Sequence, residues 1–264
     1  MKILFITDNF PPETNAPASR TFEHVTEWVK KGADVTVVTC APNFPSGKVF
    51  SGYSNAWYKK DTQIGFDVIR VKTFIAPNTG IFKRMLDFLS FMIMSAVVSI
   101  FLKRNDVVVA TSPQFFSALS GWFIAKVKRS KFVFEVRDIW PSSIKAVGYT
   151  KYNRIFAFFE KLELFLYRQA NSIVVVTEAF KTELVERGID PGKIDVVLNG
   201  VDTKKFYQSQ ELGNCFRREF RLEEKLIIGY VGTLGMSHSL DTIIELSENF
   251  LGNDNIHFIF VNLH

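Results

Sequence analysis

Cysteine is scarce in this chain of 264 residues. Cys40 and Cys215 are too few and too far apart for a disulfide framework or a zinc site, which points to a reducing, cytosol-facing setting. No run of basic residues interleaved with aromatics has single-strand-binding spacing, so nucleic acid is excluded as the preferred partner. The formal charge of +5 and pI near 9.1 then suit an anionic membrane surface better. Nucleotide-binding glycine motifs are also missing. After the apolar run 3–7 a dinucleotide dehydrogenase requires G-x-G-x-x-G, so that backbone can approach a pyrophosphate, and a P-loop enzyme requires G-x-x-x-x-G-K-[ST]; neither is present. The amino terminus lacks a small-residue cleavage site and reads as a strand rather than a signal peptide. Histidines form neither a metal-ligand cluster nor a Ser-His-Asp arrangement, so no metal or cofactor is expected. His24 and His257 read as ordinary residues of a helix and a strand, and His238 lies near a glycine turn.

What is present is alternation. Continuous Val, Ile and Phe runs at 3–7, 35–39, 68–71, 107–111, 132–136, 173–177 and 195–198 predict strands buried on both faces of a parallel sheet. Periodic segments at 19–31, 83–103, 115–129, 152–170 and 178–187 predict the intervening helices, with Gly32 and Gly188 as stop signals. The fold class is α/β, an open doubly wound sheet with ligand loops at the carboxyl ends of its strands. The 27 phenylalanines exceed the needs of a soluble core and concentrate between Phe74 and Phe165.

Residues 1–200 form one complete Rossmann-like lobe in this reading, and the polar stretch 201–224 is an interdomain linker. Residues 225–264 open a second α/β lobe. They comprise a strand at 226–231, the turn Gly232-Thr233-Leu234-Gly235, a helix at 240–251 capped by Ser237 or Ser239, and a strand at 256–261. A lobe of that size buries too little apolar area to fold alone, so apolar surface should remain exposed there. The expectation is a chain truncated within the second lobe.

The loop after the first strand, 8–20, is long and proline-rich and ends in Ser19 and Arg20. Placed at a helix start, backbone N–H groups and a guanidinium would hold an anionic phosphate there. A rigid surface loop with a helix cap is the equal alternative.

Asn9-Phe10-Pro11-Pro12-Glu13 with Asn15-Ala16-Pro17-Ala18-Ser19-Arg20, then Cys40-Ala41-Pro42-Asn43-Phe44-Pro45 with Gly52-Tyr53, and Phe134-Glu135-Val136-Arg137-Asp138-Ile139-Trp140-Pro141, resemble retaining GT-B glycosyltransferases of family four. The branch most similar is that of the fucosamine transferases of O-antigen and colanic-acid assembly. The resemblance implies two Rossmann-like lobes, the first mainly for acceptor and the second mainly for a nucleotide sugar, here UDP-linked. It implies that Arg137 and Asp138 sit beside the reacting sugar, Asp138 orienting a donor hydroxyl or helping to deprotonate the acceptor. Asn15, Ser19, Arg20, Asn199, Gly232, Thr233 and Gly235 are then donor- or acceptor-binding positions. The acceptor expected is an undecaprenyl-diphosphate-linked sugar at the cytoplasmic face of the inner membrane.

The chain departs from the family where the second lobe normally supplies an Arg, a Lys and an E-x7-E pair. Glu178 and Glu186 share that spacing but fall on a first-lobe helix, where they read as a solvated face. Without cations on the leaving diphosphate, transition-state stabilisation falls by on the order of several kcal/mol, so little activity is expected of this chain alone. Two further readings stay open. One is a non-catalytic remnant or subunit that binds acceptor or a partner chain carrying the missing lobe; the other is a GT-B epimerase relative.

One segment needs separate weighing. Residues 88–102 are uncharged and bracketed by Lys83-Arg84 and Lys103-Arg104; as a helix they span about 22 Å, short of a bilayer core. They are either buried against the sheet or partly exposed at a membrane surface.

Overall fold

The computed structural model describes residues 1–63, 65–75, 81–112, 115–139, 154–232, 234 and 239–262. Two units are present, the first holding Met1–Ser143 and Lys151–Leu198 and the second holding Asn199–His264.

The first unit is built on an 8-stranded sheet. Its strands are β1 (Lys2–Ile6), β2 (Asp34–Cys40), β3 (Tyr58–Gln63), β4 (Phe66–Val71), β5 (Val107–Thr111), β6 (Lys131–Val136), β7 (Ser172–Val175) and β8 (Ile194–Val196). They lie in the order β3-β4-β2-β1-β5-β6-β7-β8. All pairs are parallel except the β3–β4 hairpin. The sheet turns back between β1 and β5, the switch point at which loops part and leave a crevice. Strand β3, Tyr-Lys-Lys-Asp-Thr-Gln, has no apolar run and escapes the sequence reading; its charges suit an edge position, where they discourage pairing with another chain.

Helices α1 (Ala16–Lys30), α2 (Ile81–Phe101), α3 (Phe115–Lys128), α4 (Arg154–Gln169) and α5 (Glu178–Glu186) connect the strands. Val25, Trp28 and Val29 of α1 cover the sheet face that carries Phe5, Val37 and Val68. The opposite face, with Leu4, Ile6, Val38 and Phe134, is covered by α2, α3 and α4. The excess phenylalanine joins these three helices. Phe116 lies 6.4 Å from Phe88 and 6.1 Å from Phe159, centroid to centroid, and Phe115 lies 6.3 Å from Phe159. Burying each such ring contributes about 2 kcal/mol. Close approach of α3 to the sheet is fixed at Gly121, where an added Cβ would come within 2.7 Å of Ala110 Cβ.

Two expectations are corrected here. Helix α1 starts at Ala16 rather than Ser19, because Asn15 is its cap: Asn15 Oδ1 accepts from Ala18 N at 2.8 Å. Helix α2 has 21 residues and so reaches about 31 Å; Lys83–Phe101 is long and apolar enough to cross a membrane. Its length therefore does not exclude a span, but its packing does. Phe91, Ser95 and Ser99 are buried, and Ser95 Oγ lies 2.8 Å from Ser120 Oγ of α3. Ile93, Val97, Ile100 and Phe101 on the other side are exposed, so of the two alternatives for this segment the helix is the partly exposed one.

In the second unit α6 (Gln210–Glu219) forms within the stretch read as linker, capped by Ser209 Oγ, which accepts from Leu212 N at 3.2 Å. Its amphipathic pattern is carried mainly by charge, which hides it from a search for apolar periodicity. Strands β9 (Leu226–Gly232) and β10 (Ile256–Asn262) pair in parallel, with α7 (Leu240–Glu248) between them in sequence. Helix α7 ends before the expected 251. Ser239 precedes it at φ 47° without a side-chain cap bond, and Ser237 lies outside the described residues. Leu226, Val231 and Leu251 are exposed, an unusual state for a parallel pair, which ordinarily has both faces covered.

Candidate functional site

Strand register gathers the first unit's polar residues at the switch point. Thr111 of β5 pairs with Glu135 of β6, which sets Ser112 beside Arg137 and Asp138. Ser112 N donates to the Glu135 carbonyl at 3.0 Å. The buried Ser112 Oγ accepts from Arg137 N at 2.6 Å and from Asp138 N at 3.2 Å. Those bonds fix the backbone that carries Asp138, whose side chain is left exposed at the strand's end.

Glu135, only 4% exposed, is the hub. Its Oε1 lies 3.6 Å from Arg20 Nε, 3.6 Å from Arg137 Nη1 and 3.5 Å from His24 Nδ1. Arg20 also donates through Nη2 to Thr111 Oγ1 at 3.1 Å. A helical side chain leans toward the helix's own amino terminus, which is how Arg20, in the second turn of α1, reaches back over the sheet edge. Burial lowers the pKa of Arg20, opposed by Glu135, Asp138 and Asp8. Burial lowers that of Arg137 too, reinforced by repulsion from Arg20. His24 is pushed down by burial, opposed by Glu135, while both guanidiniums push the same way as burial, so the ring is neutral at physiological pH.

A second group lies in the loop after β1. Glu13 is buried and its Oε1 accepts from Asn43 N at 2.8 Å and Phe44 N at 3.0 Å, tying this loop to the one after β2. Asn15 Nδ2 donates to Asn9 Oδ1 at 2.8 Å. Burial raises Asp8 to about 6, with the charge of Glu13 adding to it, and raises Asp87 of α2 to about 7, with the charges of Asp8 and Glu13 adding to it. Arg70, buried, holds the same loops by donating to the carbonyls of Cys40 at 2.9 Å and Pro11 at 2.5 Å.

The structure thus brings Arg20, Arg137 and Asp138 together, with Asn15 serving as a helix cap nearby. Ser19 is exposed on α1, its N–H bonded to the Asn15 carbonyl. Because Ala18 N is capped and Pro17 has no N–H, the start of α1 offers an anion little backbone; the guanidinium of Arg20 is what remains. Asn199 and Gly232 belong to the second unit, where Asn199 is exposed and Gly232 ends β9. Thr233, Gly235, Trp140 and Pro141 lie outside the described residues. Sequence reasoning gave no role to Glu135, His24, Asp8 or Asp87. A glutamate inside the buried run Phe132–Val136 is the signal that marks the first; the others depend on neighbours distant in sequence. Among the described residues no group of three acidic, histidine or cysteine side chains is placed to hold a metal ion.

The arrangement of two guanidiniums over a buried carboxylate, with an exposed aspartate beside them, is suited to an anionic, hydroxyl-bearing ligand. The sequence profile of Glycosyltransferase Family 4 matches residues 18–205, which includes every member of this cluster. The chain belongs to glycosyltransferase family 4. The family-4 chain has the α/β fold of GT-B glycosyltransferase structures. Anabaena HepE in complex with UDP and glucose is 14% identical, with a TM-score of 0.57 over 100% of this chain and 70% of that one. Arabidopsis thaliana UGT89C1 complexed with UDP is 14% identical, with a TM-score of 0.57 over 98% and 66%. The α,α-trehalose 6-phosphate synthase of Burkholderia multivorans is 10% identical, with a TM-score of 0.62 over 100% and 63%. The family-4 chain therefore spans roughly two thirds of each of these proteins. No curated protein matches it.

Proposed function

We propose that this chain acts in a retaining transfer of a deoxy- or amino sugar, of the N-acetyl-fucosamine type, from a UDP-linked donor to an undecaprenyl-diphosphate-linked sugar. The setting would be bacterial surface-polysaccharide assembly (O-antigen, capsule or colanic acid) at the cytoplasmic face of the inner membrane. The observation that carries the reading is the Arg20, Glu135, Arg137 and Asp138 cluster at the switch point of a family-4 lobe. Complexes of the similar folds HepE and UGT89C1 with UDP support a nucleotide-sugar donor. In this division of labour residues 1–200 take the acceptor, 201–224 connect the lobes and 225–264 belong to the donor side, with any remaining donor contacts on a partner chain or lobe.

In the transfer, the bond from the anomeric carbon to the diphosphate oxygen breaks as the acceptor oxygen bonds to the same face of that carbon. The acceptor proton passes to the departing diphosphate. Asp138 orients a sugar hydroxyl, and Arg20 and Arg137 hold the acceptor's phosphate charge against the buried Glu135. The test is calorimetry with UDP-N-acetyl-fucosamine and UDP-N-acetylglucosamine, followed by transfer to an undecaprenyl-diphosphate-linked sugar in detergent. Retention of configuration in a product that depends on Arg20 supports the reading. An inverted product, or turnover unaffected by Arg20→Ala, refutes it.

A further inference from the structure

We propose that the outward face of α2, with the outward aromatic residues of α3 and α4, docks this chain on an anionic lipid bilayer without crossing it. This rests on the membrane-surface reading above and assigns it a surface. Helix α2 is apolar on both sides: inward, Ser95 and Ser99 are fully buried beside Phe91, while outward Ile93 is 54% and Phe101 84% exposed, where a helix of a soluble protein carries polar residues. Val97 and Ile100 continue the same stripe. The apolar face extends onto the neighbouring helices, with Phe123 and Val127 exposed on α3 and Phe158 and Phe165 exposed on α4. Phe165 also packs edge-on against Trp122 of α3, at 5.0 Å between centroids, which joins the two helices within this surface.

Charge decides the occupant. Exposed Lys83 and Arg84 lie at one end of α2 and exposed Lys103 and Arg104 at the other, and α3 adds Lys126 with Arg129 just beyond it. A bilayer with anionic headgroups offers apolar depth along the helix and negative charge at both of its ends. Spanning is ruled out by Phe91, Ser95 and Ser99, which stay packed against α3 and the sheet.

The experiment is flotation of the full chain with vesicles of phosphatidylcholine alone or mixed with phosphatidylglycerol. The chain should float with the mixed vesicles and fall off as salt rises. Val97→Asp with Phe101→Asp should cut binding roughly tenfold or more while circular dichroism is unchanged, since both side chains are exposed. Lys103→Gln with Arg104→Gln should cost about fivefold per charge. Flotation of the double aspartate variant like wild type, absence of wild-type flotation, or a dimer in sedimentation that the aspartates dissociate would overturn the proposal. The transfer assay with Arg20→Ala separates the two readings. Arg20-dependent, retaining transfer without flotation removes only the docking surface, whereas flotation with an inverted product, or with turnover unaffected by Arg20→Ala, removes only the transferase reading.

Discussion

Arg20 on α1 and Glu135 on β6 meet with 3.6 Å between Nε and Oε1, although helix and strand are far apart in sequence. The contact exists because β1 and β5 are neighbours at the switch point, so the helix after one strand faces the strand beyond the other. Burial alone would make each charge costly. Glu135 has Arg20, Arg137 and His24 around one oxygen, and together they make the charges tolerable in place.

Glu135→Ala removes the shared counter-charge and leaves two partly buried guanidiniums repelling one another. The expected loss is about 3 kcal/mol of stability in the first unit, read from urea denaturation. Glu135→Gln should recover the shape but not the charge, and remain less stable than wild type. Equal stability of all three proteins would mean that the cluster is solvated and contributes nothing.

Asp138 is exposed while its backbone is held by Ser112. Asp138→Asn should therefore leave the melting temperature unchanged and lower turnover on a lipid-linked acceptor by roughly a hundredfold. A fall in melting temperature with unchanged turnover would assign it a structural role instead.

Asp8 and Asp87 are raised from 3.8 to about 6 and about 7, chiefly by burial. Between those limits the folded chain binds more protons than the unfolded one. Their contribution is thus most favourable below about pH 4 and is lost as pH rises through 6 and 7. Arg84 opposes the shift at Asp87, and Asp8 and Glu13 reinforce it. Asp87→Asn should stabilise the chain at pH 8 by about 1 kcal/mol, discounted for partial exposure, and by less at pH 5. Denaturation curves at the two pH values check the sign; a larger gain at the lower pH would contradict it.

Gly121→Ala would place a methyl group 2.7 Å from Ala110 Cβ and 3.1 Å from Phe132 Cε2. Moving α3 off the sheet should cost about 2 kcal/mol, measured as a lowered denaturation midpoint. An unchanged midpoint would show that α3 has room to shift.

The alternation of continuous Val, Ile and Phe runs with helical periodicity was enough to determine an α/β, doubly wound fold, since strands buried on both faces need no register to be recognised. The pattern placed Arg137 and Asp138 at the end of such a strand, but only the family resemblance singled them out as site residues. Edge strand β3 and the charge-rich α6 were not, because their stability comes from pairing and capping rather than from an apolar pattern. Only tertiary structure decided that Glu135 and His24 join Arg20, since that depends on strand order, and that α2 turns its serines inward. A hydropathy pattern records how apolar a helix is. Which side of it faces the sheet is settled by the neighbours it packs against.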